Sequence, residues 1–340
     1  RYSQIKILAL PNRGSYSFSI MDIQHRKVRV ATLSVVSNAT LTILKLIVGL
    51  FIGSVSIISE AIHSGVDLIA AIIALFSVKT SSIPADTHHP FGHGKIENIS
   101  GTIEALLIFL AAGWIMFEAV KKLLHPEPIE TIGWGVGVML LSAVVNLGVS
   151  RMLFKVGRET DSIALQADAW HLRTDVYTSA GVMTGLALIW IAGRIFPGVN
   201  LNWLDPAAAI GVAVLIIKAA WDLTRQAARD LLDVNLPPEE EAWIRQRIQD
   251  HQPVIHGFHQ LRTRKSGHFR FVECHLKVDP LMTVLSSHQI TEDLTTAIEE
   301  KYPDTSVTIH VEPCDGRCAA KCLAGCLLPE DMRRDIQNGR

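Results

Sequence analysis

Over the first two-thirds of the chain, apolar residues run in long unbroken blocks. Six blocks stand out, at about 30–52, 55–79, 99–124, 131–154, 162–191 and 204–229. Each approaches or exceeds the roughly 20 residues that carry a helix across a bilayer. Buried soluble helices are also apolar, but six such blocks separated by short breaks exceed what one soluble core can absorb. The breaks carry the expected punctuation: Gly53-Ser54 as a tight turn, then His125-Pro126-Glu127-Pro128 and Phe196-Pro197-Gly198, where proline ends one helix and opens the next. Residues 1–20 lack an apolar run followed by a small-residue cleavage site, so no signal peptide is read there. A cytoplasmic tail is expected over 1–27 and a six-span domain over 28–232.

Beyond residue 232 the pattern shortens. Pro237-Pro238 followed by acidic residues opens a helix at about 238–251. Residues 258–264 and 269–278 alternate apolar and polar, as strands do, with Arg264–Gly267 between them. A helix at about 286–301 and a strand at 306–311 follow. The expected order is αββαβ, within a unit spanning 233–313, with a tail over 314–340.

Charge follows the same division. Of 32 basic and 33 acidic residues, 29 fall in 234–340, about 27% of that stretch against about 15% of the residues before it. The net charge of −1 argues against nucleic acid as a partner, since phosphate recognition needs a basic patch. Short-loop lysines and arginines (Arg26, Lys27 and Arg29; Lys79 and Lys95; Arg151, Lys155 and Arg158; Arg225 and Arg229) outnumber Lys121, Lys122 and Arg194 on the other side. The bias places both termini in the cytoplasm. In that reducing compartment the five cysteines favour thiol or metal chemistry over disulfides.

Ionisable groups inside a bilayer are costly and mark function. Here two of them repeat as a motif: His63-Ser-Gly-Val-Asp67 in the second block and His171-Leu-Arg-Thr-Asp175 in the fifth. A spacing of four puts each pair on one helix face. Two such faces together offer two imidazoles and two carboxylates, a tetrahedral set suited to Zn²⁺. Taken singly, each pair could instead be an intrahelical His–Asp contact. Lys45 and Glu118, nearer the ends of spans, read as snorkelling side chains. Between the second and third blocks lies Asp86-Thr-His88-His89-Pro-Phe-Gly-His93-Gly-Lys95, where Asp86, His89 and His93 could close on one divalent ion. No H-E-x-x-H motif is present, which argues against a membrane metalloenzyme such as an intramembrane protease, and no enzymatic activity is expected.

The span-two pair, the ADTHHPFGHGKIE loop and the ADAWHLRTD stretch resemble the cation diffusion facilitator family, over roughly residues 28–313. The resemblance implies a proton-coupled exporter of divalent transition metals in a bacterial inner membrane, working as a homodimer by alternating access. It implies a ferredoxin-like cytoplasmic domain. It places the transport site on His63, Asp67, His171 and Asp175, and histidine at both leading positions is similar to the zinc-preferring pattern. It implies a second site at Asp86, His89 and His93. It matches His259, His275, His288, His310 and Glu312 to a binuclear zinc site at a dimer interface, leaving His251, His256 and His268 as solvated side chains. It also pairs Lys95 with Asp233 as a structural salt bridge. Fe²⁺, Cd²⁺, Co²⁺, Ni²⁺ or Mn²⁺ as the main substrate stay open, as does a membrane metal sensor that transports nothing. The tail departs from the family: Cys314, Cys318, Cys322 and Cys326 recur every four residues, as one stripe if helical, with thiolates that suit soft or borderline metals.

Overall fold

A computed structural model describes residues 13–52, 55–124, 134–195, 203–318 and 320–338. The breaks expected at 53–54, 125–128 and 196–198 lie outside the described residues, as do residues 1–12. The chain divides into two units, Arg1–Thr224 and Arg225–Arg340.

The first unit is built from long helices: α1 (Arg13–Ile52), α2 (Val55–Ser81), α3 (Lys95–Leu124), α4 (Trp134–Glu159), α5 (Ile163–Ile195) and α6, Leu204–Leu231, whose last turns belong to the second unit. Among the described residues, stretches of α1, α2, α3, α4 and α6 are long and apolar enough to cross a membrane. The expected fifth span is α5, which holds Asp168, His171, Arg173 and Asp175 in its first half. Helix α1 packs along α2, α4 along α5, and α5 also meets α2 and α3. The expected tail is already helical from Arg13, because no proline interrupts 15–52 and the helix propagates back from its apolar block.

This unit is apolar outside. Phe51 is 87% exposed, Leu110 71% and Trp114 69%, as suits lipid-facing side chains. Inside lie Ala70, Ala71, Ala74, Ala105 and Ala112, with Asn38, Asn98, Glu104 and Asp168 among them. Small residues let helix backbones approach where lipid supplies no hydrophobic drive.

The second unit continues with α7 (Pro238–Gln249), β1 (Ile255–Ser266), β2 (Phe269–Val278), α8 (Val284–Lys301), β3 (Thr305–Pro313), α9 (Ala320–Ala324) and α10 (Glu330–Gln337). The strand order is β1-β2-β3, antiparallel then parallel, with α8 as the crossover a parallel pair requires. Thr283 caps α8 by accepting from the Ser286 amide. Alternation along β2 turns Val272, Cys274, Leu276 and Val278 inward, where they meet Ile244 and Ile248 of α7 and Leu294 and Ile298 of α8. The opposite face carries His275 and Lys277. The β1–β2 turn is shorter than expected: Lys265 and Ser266 still pair with Arg270 and Phe269, and Gly267, at φ 61°, supplies the left-handed residue.

Candidate metal centres

His63 and Asp67 lie one turn apart on α2, His171 and Asp175 one turn apart on α5, and these helices pack together. His171 Nε2 is 3.0 Å from Asp67 Oδ1. His63 Nε2 is 3.9 Å from Asp175 Oδ1 and 4.0 Å from Asp67 Oδ1. Ligand atoms of His63, Asp67 and Asp175 fall within 4.8 Å of one another. All four side chains line one cavity of about 660 Å³, together with Lys45 and Asn146. Asn146 Nδ2 donates to Asp175 Oδ2 at 3.4 Å, which orients that carboxylate. Asp67 and His171 are buried while His63 is 54% exposed, so the site has a closed side and an open side. Two imidazoles and two carboxylates in such a cavity can hold a divalent ion or, without it, protons.

Lys45 departs from its expected place. It is buried, donates to Ser64 Oγ at 2.7 Å and lines this cavity. Packing of α1 against α2 turns its ammonium inward and leaves no route for snorkelling. Asp168 and Glu104 are fully buried as well.

In the α2–α3 connection Asp86, His89 and His93 come together. Asp86 Oδ1 is 3.4 Å from His89 Nδ1, and its Oδ2 is 3.5 Å from His93 Nε2. The carboxylate also accepts from the amides of His89 at 2.6 Å and His88 at 2.8 Å. The His89 amide is the main cause of a carboxyl held below its ordinary value. His93 Nδ1 lies 3.3 Å from the Ile83 carbonyl oxygen; donating there leaves Nε2 as the metal-facing lone pair. Gly92 makes the turn with φ 79°.

On the outer face of the sheet the strand register aligns three histidines. His259 pairs with His275, and His275 with His310, one row across three strands. The ring centroids are 5.1 and 4.8 Å apart. A bulge in β1 with Gln260 at φ 51° sets this register. Glu312 lies in the adjacent row, 2.7 Å from His275 Nδ1, 3.6 Å from His259 Nε2, 3.7 Å from His310 Nε2 and 2.7 Å from Lys277 Nζ. Lys277, then His275, hold the Glu312 carboxyl at about 2. Burial pushes His259 below its ordinary value, which favours the neutral, ligating imidazole. His288 is not in this row. It is exposed on α8, which packs on the other face of the sheet, 3.9 Å from Glu292.

The tail is not one helical stripe. Cys314 follows β3, Cys322 lies on the five-residue α9, and Cys318 and Cys326 sit in loops. All four nevertheless line one cavity. His256, expected to be solvated, lines it too, because the tail covers the start of β1. Cys274 faces the core, where burial pushes its thiol up to about 12. Lys95 opens α3 and Asp233 follows α6; they belong to different units, and Asp233 Oδ1 is 3.7 Å from Arg264 Nη1.

One buried group escaped the sequence reading. Lys27 Nζ meets Glu97 Oε1 at 2.6 Å, both side chains fully enclosed. Glu97 also accepts from Ser81 Oγ at 2.8 Å and Ser162 Oγ at 2.5 Å, tying α1, α2, α3 and the α4–α5 connection at one point. The available signal was the glutamate after the loop histidines, at the start of an apolar block.

Two family models match the chain: a cation efflux transmembrane domain over residues 31–232, and the cytoplasmic domain of cation efflux proteins over 236–314. An uncharacterized transporter of Synechocystis is 36% identical over 261 residues, covering 77% of this chain and 82% of that protein. The cation-efflux pump FieF of Yersinia pestis is 34% identical over 296 residues, 86% of this chain and 96% of the pump. Among solved structures, a CzrB chain studied as a candidate zinc transporter is 36% identical over 23% of this chain and 98% of its own, with a TM-score of 0.22. The metal-bound C-terminal domain of the CzcD transporter from Thermotoga maritima is 28% identical over 23% of this chain and 94% of its own, with a TM-score of 0.21.

Proposed function

The chain belongs to the cation diffusion facilitator family of efflux transporters, and we propose that its cargo is Zn²⁺, exported in exchange for protons across a bacterial inner membrane. It is an integral membrane transporter of divalent cations and not an enzyme. The observation that carries the zinc reading is the donor set of the membrane cavity: two histidines and two aspartates, one pair from each of two packed helices. Four nitrogen and oxygen donors in a tetrahedral arrangement suit Zn²⁺.

In this reading Zn²⁺ enters from the cytoplasm, past Asp86, His89 and His93 near the mouth, and both termini lie on that side. Its arrival displaces protons from the transport site, since histidine ligates only when neutral. A proton shared across the Asp67–His171 contact at 3.0 Å would occupy the same donor atoms as the metal, so the two compete. Helix rearrangement then exposes the ion outward, protons reload the imidazoles and carboxylates, and the metal leaves. The His259, His275, His310 and Glu312 cluster binds cytoplasmic metal and favours the dimer, with His288 available to a second copy from the far face of its own sheet.

Asp175→Ala in proteoliposomes tests the assignment. Zinc-driven proton flux is expected to vanish, and flux at the wild-type level overturns the site. Competition among Zn²⁺, Cd²⁺, Co²⁺, Ni²⁺, Fe²⁺ and Mn²⁺ in the same vesicles identifies the preferred ion. A protein that takes up none of them, yet rearranges its dimer with metal, would be a sensor instead.

A further inference from the structure

We propose that the tail holds a separate metal site, in which Cys314, Cys318, Cys322 and Cys326 bind one thiophilic divalent ion such as Zn²⁺. The four thiols come from a strand end, two loops and a short helix, yet all line a single cavity. They are free cysteines. The matched cytoplasmic family model ends at residue 314, so three of the four lie beyond it.

The cavity is built by close backbone contacts. The sheet order leaves β1 at an edge, and the tail pairs onto it. The Phe258 amide donates to Gly325 O at 3.0 Å, and the Leu327 amide to His256 O at 2.9 Å. The Cys314 amide donates to Val278 O at 2.8 Å, anchoring the other end. Three glycines make this approach possible. A methyl at Gly325 would collide with the Phe258 carbonyl, one at Gly257 would stand 2.8 Å from Gly325 O, and one at Gly316 would stand 2.9 Å from Ile336 O. Gly316 also holds φ 74°, open to few other residues. Such specification is costly for a segment that only trails from the domain.

Two further features point to an ion. His256 lines the cavity, and its Nδ1 is buried without a hydrogen-bond partner among the described residues. Lys277 and Arg333 line the same cavity. A divalent ion bound by four thiolates releases four protons to water and leaves the site with two negative charges, beside which stand Arg333 and Lys277, the latter shared with Glu312. Lys277 also contacts Glu312, and His259 borders both sites, so the tail ion braces the strand that begins the histidine row.

The test uses the reduced, full-length protein in detergent, loaded with Co²⁺. Thiolate ligation gives a strong near-ultraviolet charge-transfer band that nitrogen and oxygen ligands do not. The band is expected in the wild type, retained in Cys274→Ser and lost in Cys318→Ser/Cys322→Ser, with one fewer bound zinc per chain. No band in the wild type, or a band that survives in the double variant, overturns the proposal. A second measurement needs no variant. Zn²⁺ should shield the four tail thiols of the wild type from alkylation, and a chelator should expose them, as counted by mass spectrometry. Labelling that ignores zinc, or disulfides forming between these cysteines in the reduced protein, also overturns it. Neither readout involves the membrane site, so failure here leaves the zinc-export reading standing, and failure of that reading leaves this one standing.

Discussion

The two units solve the same packing problem against different surroundings. In the membrane unit many large apolar side chains face outward, and the interior combines alanine, serine, asparagine and ionisable groups with larger residues such as Leu153, Phe154 and Leu172. In the cytoplasmic unit Ile244, Ile248, Leu276, Leu294 and Ile298 fill the centre and the charges face water. In water, burying apolar area is itself the driving force. In lipid that force is absent between helices, and close backbone approach and polar pairing replace it. The interior of each unit therefore fails in its own way when disturbed.

The largest expected effect is at Lys27. Removing its ammonium leaves the enclosed Glu97 carboxylate without that cation, held by neutral donors such as Ser81 and Ser162, at a cost of about 3–5 kcal/mol. Lys27→Ala should lower the thermal unfolding midpoint of the detergent-solubilised protein, and Lys27→Met with Glu97→Gln should recover much of the loss. A single variant as stable as the wild type would show that this contact is not what joins the four segments.

Opposite changes in residue size sharpen the contrast. Leu276→Ala opens a cavity in the cytoplasmic core and costs about 2–5 kcal/mol. Ala70→Leu overfills the membrane interior and costs about 1–3 kcal/mol. Hydrogen exchange on the full chain reads both, since each should loosen amides of its own unit. If Ala70→Leu were neutral, small-residue packing would not be what holds the helices together.

How much of this was legible in the sequence depends on the distance over which each feature is encoded. The membrane helices are contiguous apolar blocks, and the two His–Asp pairs lie on single turns, so both can be read locally. So can Asp86, His89 and His93, within eight residues of chain. The αββαβ order follows from a change of period. Features set by tertiary register were not readable. Lys27 and Glu97 are 70 positions apart, and neither identifies the other. Lys45 looked like a residue near a span end, and only packing against α2 turns it inward. The row of His259, His275 and His310 depends on a bulge at Gln260 that no motif announces. The tail cysteines were visible as a period of four, which suggested a helix, but Gly316 and Gly325 fold them around a cavity instead.

The smallest effect concerns the solvated face of the cytoplasmic sheet, where screening weakens every charge. Glu312 titrates at about 2 in the folded protein against an ordinary value of 4.5, so the unfolded chain binds more protons between those values. Its contribution to stability is complete above 4.5 and is lost as pH falls toward about 2. His259, lowered by burial from 6.5, acts in the same direction at higher pH: the unfolded chain takes up its proton first, so acid favours unfolding there too. The metal-free cytoplasmic unit should therefore weaken in two stages on acidification. Glu312→Gln should flatten the lower stage and, because the lost carboxylate had been raising His259, deepen the upper one, as followed by hydrogen exchange of β2 and β3 amides in chelator. A lower stage unchanged in that variant would mean that other carboxylates carry the acid sensitivity, and that this face differs from the membrane interior even more than the geometry implies: its charges would serve ligation alone, whereas those around Glu97 hold the fold together.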